Sequence, residues 1–230
     1  MKILAFDTTN STLSVAVLFD KKIVAKKDIY ESNQQAEMLV PSIEECLRQA
    51  GIWYKDLDLI AFTNGPGSFT GIRVGYSCAK ALKLATNLPL IALGSLEVIA
   101  YKYYLMNGEE QYCKKILVVN DAKLEEFFVQ EFSIEDNEIK ASFEPTLIAA
   151  KDINNFLPEK KFILAGSAKL LIKDLEENAI IFSEEDFIDA KNIAILASQK
   201  YQQNPRDFAI SSCKTLYIRD VKISQRKKAN

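Results

Sequence analysis

The chain has 230 residues, 48% of them apolar, with 29 basic against 31 acidic side chains. That length can bury a large core, and a net charge near zero gives no general pull toward nucleic acid or anionic membranes. Histidine is absent, which excludes Ser-His-Asp and Cys-His nucleophile pairs and any His-ligated zinc site.

Ile3 to Phe6 reads as a buried strand ending in Asp7-Thr8-Thr9-Asn10. Thr12 to Phe19 alternates, with Leu13, Val15, Val17 and Phe19 on one face, and Asp20-Lys21-Lys22 turns the chain into a third strand, Ile23 to Ile29. The result is an antiparallel meander whose first strand delivers a carboxylate and two hydroxyls to a loop. Such a loop can hold a magnesium-bound phosphate, and an ordinary Asp- and Thr-rich turn accounts for the same residues. Ser32 can cap a helix through Ala50, with Leu39, Ile43, Cys46 and Leu47 on one face and Gly51 as the stop. Pro41 inside it predicts a kink or a restart.

Leu59 to Phe62 is a short buried strand that stops at Gly65-Pro66-Gly67. Ser68 and Thr70 are both N-cap residues for a helix running to about Ala85. Backbone N–H groups and the positive end of the helix dipole converge there, so the spot suits an anion or a partner's acidic group. Arg73 lies near the first turn, against the dipole, and so either faces an anion or pairs with a nearby acid. Gly71, Gly75, Cys78 and Ala79 recur at helical spacing. Glycine inside a helix costs about 1 kcal/mol against alanine. Close approach of another backbone is the expected reason, in this chain or in a second protein. Leu88 to Leu93 is a strand, and Ser95 starts a helix through about Met106.

A second unit follows Asn107-Gly108. Lys115 to Asn120 is a strand ending in Asp121, and Glu126 to Phe132 with Glu138 to Phe143 forms a hairpin around Asp136-Asn137. Then come a helix near Lys151 to Phe156, a strand Phe162 to Ala165, Gly166-Ser167, a helix from Ala168, a strand Ala179 to Phe182 and a helix near Ala190 to Tyr201. The layout repeats the first unit, so residues 1–106 form one lobe and 107–212 a second, smaller one whose last helix is placed to pack back on the first. Residues 213–230 form a basic tail, solubilising or in contact with RNA or an acidic partner. Cys46, Cys78, Cys113 and Cys213 stand far apart without metal-ligand spacing and read as reduced thiols. No apolar run approaches signal-peptide or membrane-span length, so a cytoplasmic protein without membrane contact is expected.

Six stretches together resemble the TsaB (YeaZ) family, which serves threonylcarbamoyladenosine modification of tRNA. They are ILAFDTT at Ile3 to Thr9, AEMLVPSIEECL at Ala36 to Leu47, PLIALGSLEVIA at Pro89 to Ala100, NDAKLEEFF at Asn120 to Phe128, LYIR at Leu216 to Arg219 and, most specifically, NGPGSFTGIRVG at Asn64 to Gly75. The resemblance implies an α/β protein of the actin-like ATPase (ribonuclease H-like) fold with two lobes of related topology. It implies a non-catalytic scaffold subunit that binds and activates the catalytic subunit TsaD, which modifies the adenosine beside the anticodon. Ser68, Phe69, Gly71, Arg73, Gly75 and Cys78 would form the partner interface, facing TsaD or a second copy in a homodimer. A TsaE-like ATPase joins the assembled complex, and tRNA is met only through it.

The segment that carries a His-x-x-x-His metal pair in TsaD has Ser95 and Ile99 here, which cannot replace it. No catalytic residue or metal is therefore expected of this chain and no cofactor is required by it, while ATP or ADP with Mg can enter in the complex. Three family positions differ: Gln35 and Ala36 stand before Glu37, Asp-Ala-Arg-x-Gly appears as Asp121-Ala122-Lys123-Leu124-Glu125, and a usual glycine pair is reduced to Gly166 followed by Ser167. If the chain binds nucleotide, Asp7, Thr8, Thr9 and Asp121 would line the phosphate side and Gly166 the base side. The alternative function is an ATP-dependent kinase or phosphotransferase of the actin-like class.

Overall fold

A computed structural model of the chain describes residues 1–31, 34–107, 113–136, 138–172, 178–182 and 187–209. Ser32, Gly108, Asn137, Cys213 and the tail lie outside those residues.

Strands β1 (Lys2–Asp7), β2 (Leu13–Phe19) and β3 (Lys22–Ile29) form the expected meander, with Phe6 opposite Val15. Asp20 and Lys21 make the β2–β3 turn with φ of 47° and 69°, the positive pair that matches the twist of a tight hairpin. Helix α1 (Gln35–Gln49) follows and is continuous through Pro41. Only one backbone hydrogen bond is forfeited at that second-turn position, while buried Leu39, Ile43, Cys46 and Leu47 hold the helix to the sheet. β4 (Leu59–Thr63), α2 (Phe69–Thr86), β5 (Leu90–Leu93) and α3 (Ser95–Asn107) complete a five-stranded sheet in the order β3-β2-β1-β4-β5, with β4 and β5 parallel to β1.

The second half builds the same order again. β6 (Lys115–Asp121), β7 (Glu126–Glu135) and β8 (Glu138–Ala141) form a meander, and β10 (Phe162–Ala165) and β11 (Ala179–Ile181) add parallel on the other side of β6. This duplicated sheet order gives the actin-like ATPase fold. Three local expectations change. A strand unforeseen in the sequence, β9 (Thr146–Ala149), pairs with β7; four half-buried residues directly after Pro145 carry too short a pattern to read. The helix expected near residues 151–156 is a 3₁₀ segment, Ala150–Phe156. The helix expected from Ala168 is a run of turns held by bonds such as Leu171 N–H to the Ala168 carbonyl. Among the described residues its buried apolar anchors are Ala168 and Ile172, too few to support an α-helix.

Period-2 alternation assigns the faces of the first sheet. Leu4 and Phe6 pack outward against α1 and α2, while Ile3 and Ala5 point inward. The inward face shares one continuous core with α3, with α4 (Ala190–Gln203) and with the near face of the second sheet. α3 is accordingly apolar around most of its circumference. α4 lies on β1 and β2 and is anchored at its start: the Ala190 amide donates to Ser14 Oγ at 2.8 Å, Ser14 Oγ donates to Asp28 at 2.6 Å, and Lys26 Nζ bridges Asp28 and Asp189. The short helix α5 (Pro205–Ala209) ends the described chain. Among the described residues no helix is long and apolar enough to cross a membrane.

Candidate functional site

The loop after β1 and the glycine loop before α2 meet face to face. Ser68 caps α2, its Oγ accepting from the Gly71 amide at 3.2 Å, and the Ser68 amide donates to the Thr9 carbonyl at 2.7 Å. The Thr8 hydroxyl donates to the Gly71 carbonyl at 2.7 Å. A Cβ on Gly67 or Gly71 would overlap the carbonyl oxygens of Thr9 or Thr8, and one on Gly75 would press on the Thr8 hydroxyl. The close approach that the small residues permit is thus made to this chain's own β1 loop. Gly71 and Gly75 are buried there, and their expected role of admitting a partner helix is taken by an internal contact.

Asp7 sits at the centre of this junction, with no solvent exposure. Its Oδ1 accepts from the Thr9 amide at 3.0 Å, from the Thr9 hydroxyl at 2.6 Å and from the Thr63 hydroxyl. The Asn10 amide also bonds to it. Because the Thr9 proton goes to Asp7, the Ser95 hydroxyl at 3.0 Å must donate to Thr9. Among the described residues Asp7 Oδ2 is buried without a hydrogen-bond partner. Burial pushes the Asp7 pKa above its ordinary 3.8, opposed by the bonds from Thr63 and Thr9. The hydroxyls of Thr8 and Thr9 and the amides of Thr9 and Asn10, the groups suited to cradling a phosphate, are therefore all engaged inside the protein.

On the second sheet, Asp121 and Gly166 come together at the ends of β6 and β10. Gly166 has φ of 101°, and a Cβ there would overlap the Val119 carbonyl. The Ser167 amide donates to Asn120 Oδ1 and the Asp121 amide to Ser167 Oγ, each at 3.0 Å. The Asp121 carboxylate accepts from Lys123 Nζ at 2.6 Å and from the Lys123 amide at 2.8 Å, which lowers its pKa. The sequence pairs Asp7 and Asp121 as one phosphate side; the structure gives one a buried knot and the other a surface ion pair.

What remains of the interface group lies on the outer side of α2. Phe69 is 42% exposed, and the exposed Arg73 places its guanidinium 3.8 Å from the Phe69 ring centroid. That stacking fixes a flexible cation in one direction at the start of the helix. Cys78 is half-buried against the α1–α2 core, and burial pushes its thiol up to about 11, so it packs as a small apolar group. Ile99 lies in the shared core. Thr63 and Ser95 were the residues sequence reasoning missed for the Asp7 knot: a threonine ending a strand and a serine opening a helix carry no signal of a bond to a loop so far away in the chain.

Residues 30–229 match the family model described as TsaD, tRNA N6-adenosine threonylcarbamoyltransferase. A tRNA threonylcarbamoyladenosine biosynthesis protein TsaB from Buchnera aphidicola subsp. Schizaphis graminum is 32% identical over 197 residues, 83% of this chain and 90% of that protein. The TsaB protein of Escherichia coli K12 is 24% identical over 226 residues, 96% of this chain and 95% of its own. Among solved structures, YeaZ from Pseudomonas aeruginosa superposes with a TM-score of 0.77 at 21% identity, covering 89% of this chain and 93% of that one.

Proposed function

Because the chain belongs to the TsaB (YeaZ) family, within the wider TsaD family whose model spans it, we propose that it is a non-catalytic subunit of tRNA threonylcarbamoyladenosine biosynthesis. In this reading it binds a TsaD-type catalytic subunit through the outer side of α1 and α2 and holds that subunit in its active arrangement. Nucleotide and metal then belong to partner subunits. The modified residue is the tRNA adenosine beside the anticodon.

The observation that carries the reading is the division of labour within one short stretch. The loop side of residues 64–75 is bonded to Thr8 and Thr9, whose own neighbour Asp7 is bonded by Thr9 and Thr63, while the opposite side presents the stacked Phe69–Arg73 pair. A group already spent on internal bonds is not available to stabilise a transferring phosphate. That weighs against a kinase or phosphotransferase. An aromatic ring with a pre-oriented guanidinium is instead the kind of anchor that dominates protein–protein contacts.

The test is co-purification of the chain with a TsaD-type subunit, followed by threonylcarbamoylation of tRNA with and without it. Modification should depend on the chain, and Arg73→Glu should lose both binding and stimulation while the isolated variant still folds. Modification that proceeds equally well without the chain would overturn the reading.

A further inference from the structure

The end of the first sheet where β1 begins lies opposite the Asp7 junction, and its surface is basic and aromatic. Lys2 stands across from Phe19 in the β1–β2 register, and Phe19 across from Lys22 in the β2–β3 register. The segment after α1 is tied to the same place: the Lys2 amide donates to Asp58 Oδ2 at 2.7 Å, and the Asp58 amide donates to the Lys2 carbonyl at 2.9 Å. That segment carries Trp53, 73% exposed. Lys2 Nζ lies 5.3 Å from the ring centroid of the exposed Phe19. Arg48 and Lys83 lie in the last turns of α1 and α2, where they offset the negative ends of the helix dipoles. Lys2, Lys21, Lys22 and Lys55 remain, and among the described residues none of them forms an ion pair. The nearby carboxylates are held by the main chain, Asp56 by the Trp53 amide at 2.8 Å, Asp58 by the Lys2 amide and Asp20 by the Met1 amino group at 2.7 Å. With the exposed Glu44 they are still outnumbered by cations, in a chain whose net charge is −2.

An indole this exposed adds little to the core, and its face is open to a flat partner. Every nucleobase has such a face, and stacking on an aromatic ring holds single strands without regard to sequence. Cations that lack acidic partners complement the phosphates joining those bases, and each phosphate they neutralise releases counterions from the strand. An acidic protein segment would use the lysines and leave the ring idle. We propose that this end of the first sheet binds single-stranded RNA, with Lys2, Lys21, Lys22 and Lys55 on backbone phosphates and a base stacked on Trp53. The contact is then made by this chain itself, whereas the family resemblance implies tRNA only through the complex. That the RNA is the tRNA of the modification reaction rests on the function proposed above. The surface borders the C-terminal ends of α1 and α2, so a catalytic subunit seated on those helices would bring its tRNA alongside.

Trp53 is the single tryptophan of the chain, so its fluorescence reports on this surface alone. The full-length chain is titrated at low salt with a uridine dodecamer, with tRNA and with polyglutamate, and affinity is measured separately by anisotropy of the labelled RNA. RNA should quench Trp53 saturably, and the logarithm of affinity should fall with the logarithm of salt at a slope of about −3, from about −0.7 for each phosphate neutralised on a single strand. K21A/K22A/K55A, with folding checked by circular dichroism, should bind RNA about tenfold more weakly and make that slope shallower by about 2. Trp53→Leu should lose about fivefold or more in affinity and keep the slope. RNA that leaves Trp53 unquenched, a Trp53→Leu chain that binds as wild type does, or polyglutamate that displaces RNA at equal charge would each overturn the inference, the last by pointing to an acidic protein segment. Binding of the K21A/K22A/K55A chain to a TsaD-type subunit, measured in parallel, should match wild type. That separates failure of the RNA surface from failure of the docking reading.

Discussion

The Thr8 hydroxyl donates to the carbonyl of Gly71 at 2.7 Å, across 63 residues of chain, and so joins the first strand to the first turn of α2. The bond depends on two helical positions without side chains. Alanine at Gly71 would drive a methyl into the Thr8 backbone carbonyl, which cannot rotate away. The expected loss is about 3 kcal/mol, well above the gain of about 1 kcal/mol from helix propensity. The close overlap of an alanine at Gly75 is with the Thr8 hydroxyl, so the cost of that bond and the propensity gain nearly offset, leaving a net change of about 1 kcal/mol or less. Urea denaturation of G71A and G75A checks the contrast. Equal losses at the two positions would contradict it.

Asp7 makes the protein's stability depend on pH in a definite direction. Its folded pKa lies above 3.8, so in the window from there up to the folded value the native state holds a proton that the unfolded chain has released. Stability therefore falls as pH rises through that window, by at most about 1.4 kcal/mol per pH unit from this group. Asp7→Asn keeps an oxygen acceptor for Thr9 and Thr63 and removes the ionisation. The variant should show a shallower decline between acid and neutral pH than the wild type when both are denatured with urea at several pH values. Parallel pH profiles would show that Asp7 has the same proton affinity folded and unfolded.

Much of this arrangement is legible in the sequence because it is local. Alternation in Ile3 to Phe6, the Gly65-Pro66-Gly67 break and the small-residue spacing in α2 correctly place a strand, a turn and a close-packed helix. The duplicated sheet order follows from the same strand-by-strand reading. What the Asp7 loop does was not legible. Asp7-Thr8-Thr9 suits a phosphate by composition, and its inward orientation depends on Thr63, Ser95 and Gly71, which are remote in sequence and unremarkable in type. The segment after β10 failed for another reason: its turn conformation depends on a few tertiary anchors, against which local propensity is a weak guide.

Ser42 is a buried cost that the fold can lose. It lies on the core side of α1 with no exposure, and its hydroxyl has no hydrogen-bond partner among the described residues. An unmade buried bond costs about 1–3 kcal/mol, while removing a single oxygen leaves little space to refill. Ser42→Ala should therefore stabilise the chain by about 1 kcal/mol, seen as a raised urea midpoint with unchanged slope. A lower midpoint would mean that the hydroxyl is satisfied in solution, for example by a buried water.

The β6–β7 turn stores strain where the family pattern has glycine. Lys123, Leu124 and Glu125 take φ of 63°, 57° and 55° in succession, a left-handed run of three side-chain-bearing residues. Each such residue costs about 1–2 kcal/mol, and the turn is held by the Lys123 bonds to Asp121 and by the Ala150 amide donating to the Glu125 carbonyl at 2.8 Å. The Glu125 bond uses only backbone, so glycine can make it without the steric penalty. Against that gain stands the greater freedom of glycine in the unfolded chain, about 0.4–1 kcal/mol. Glu125→Gly should thus raise stability by about 0.5–1 kcal/mol, whereas Leu124→Val, which puts a β-branched residue at a positive φ, should lower it by about 1 kcal/mol. Thermal denaturation of the two variants gives opposite shifts if the strain is real, and a destabilised Glu125→Gly would locate the turn's stability in the glutamate side chain instead.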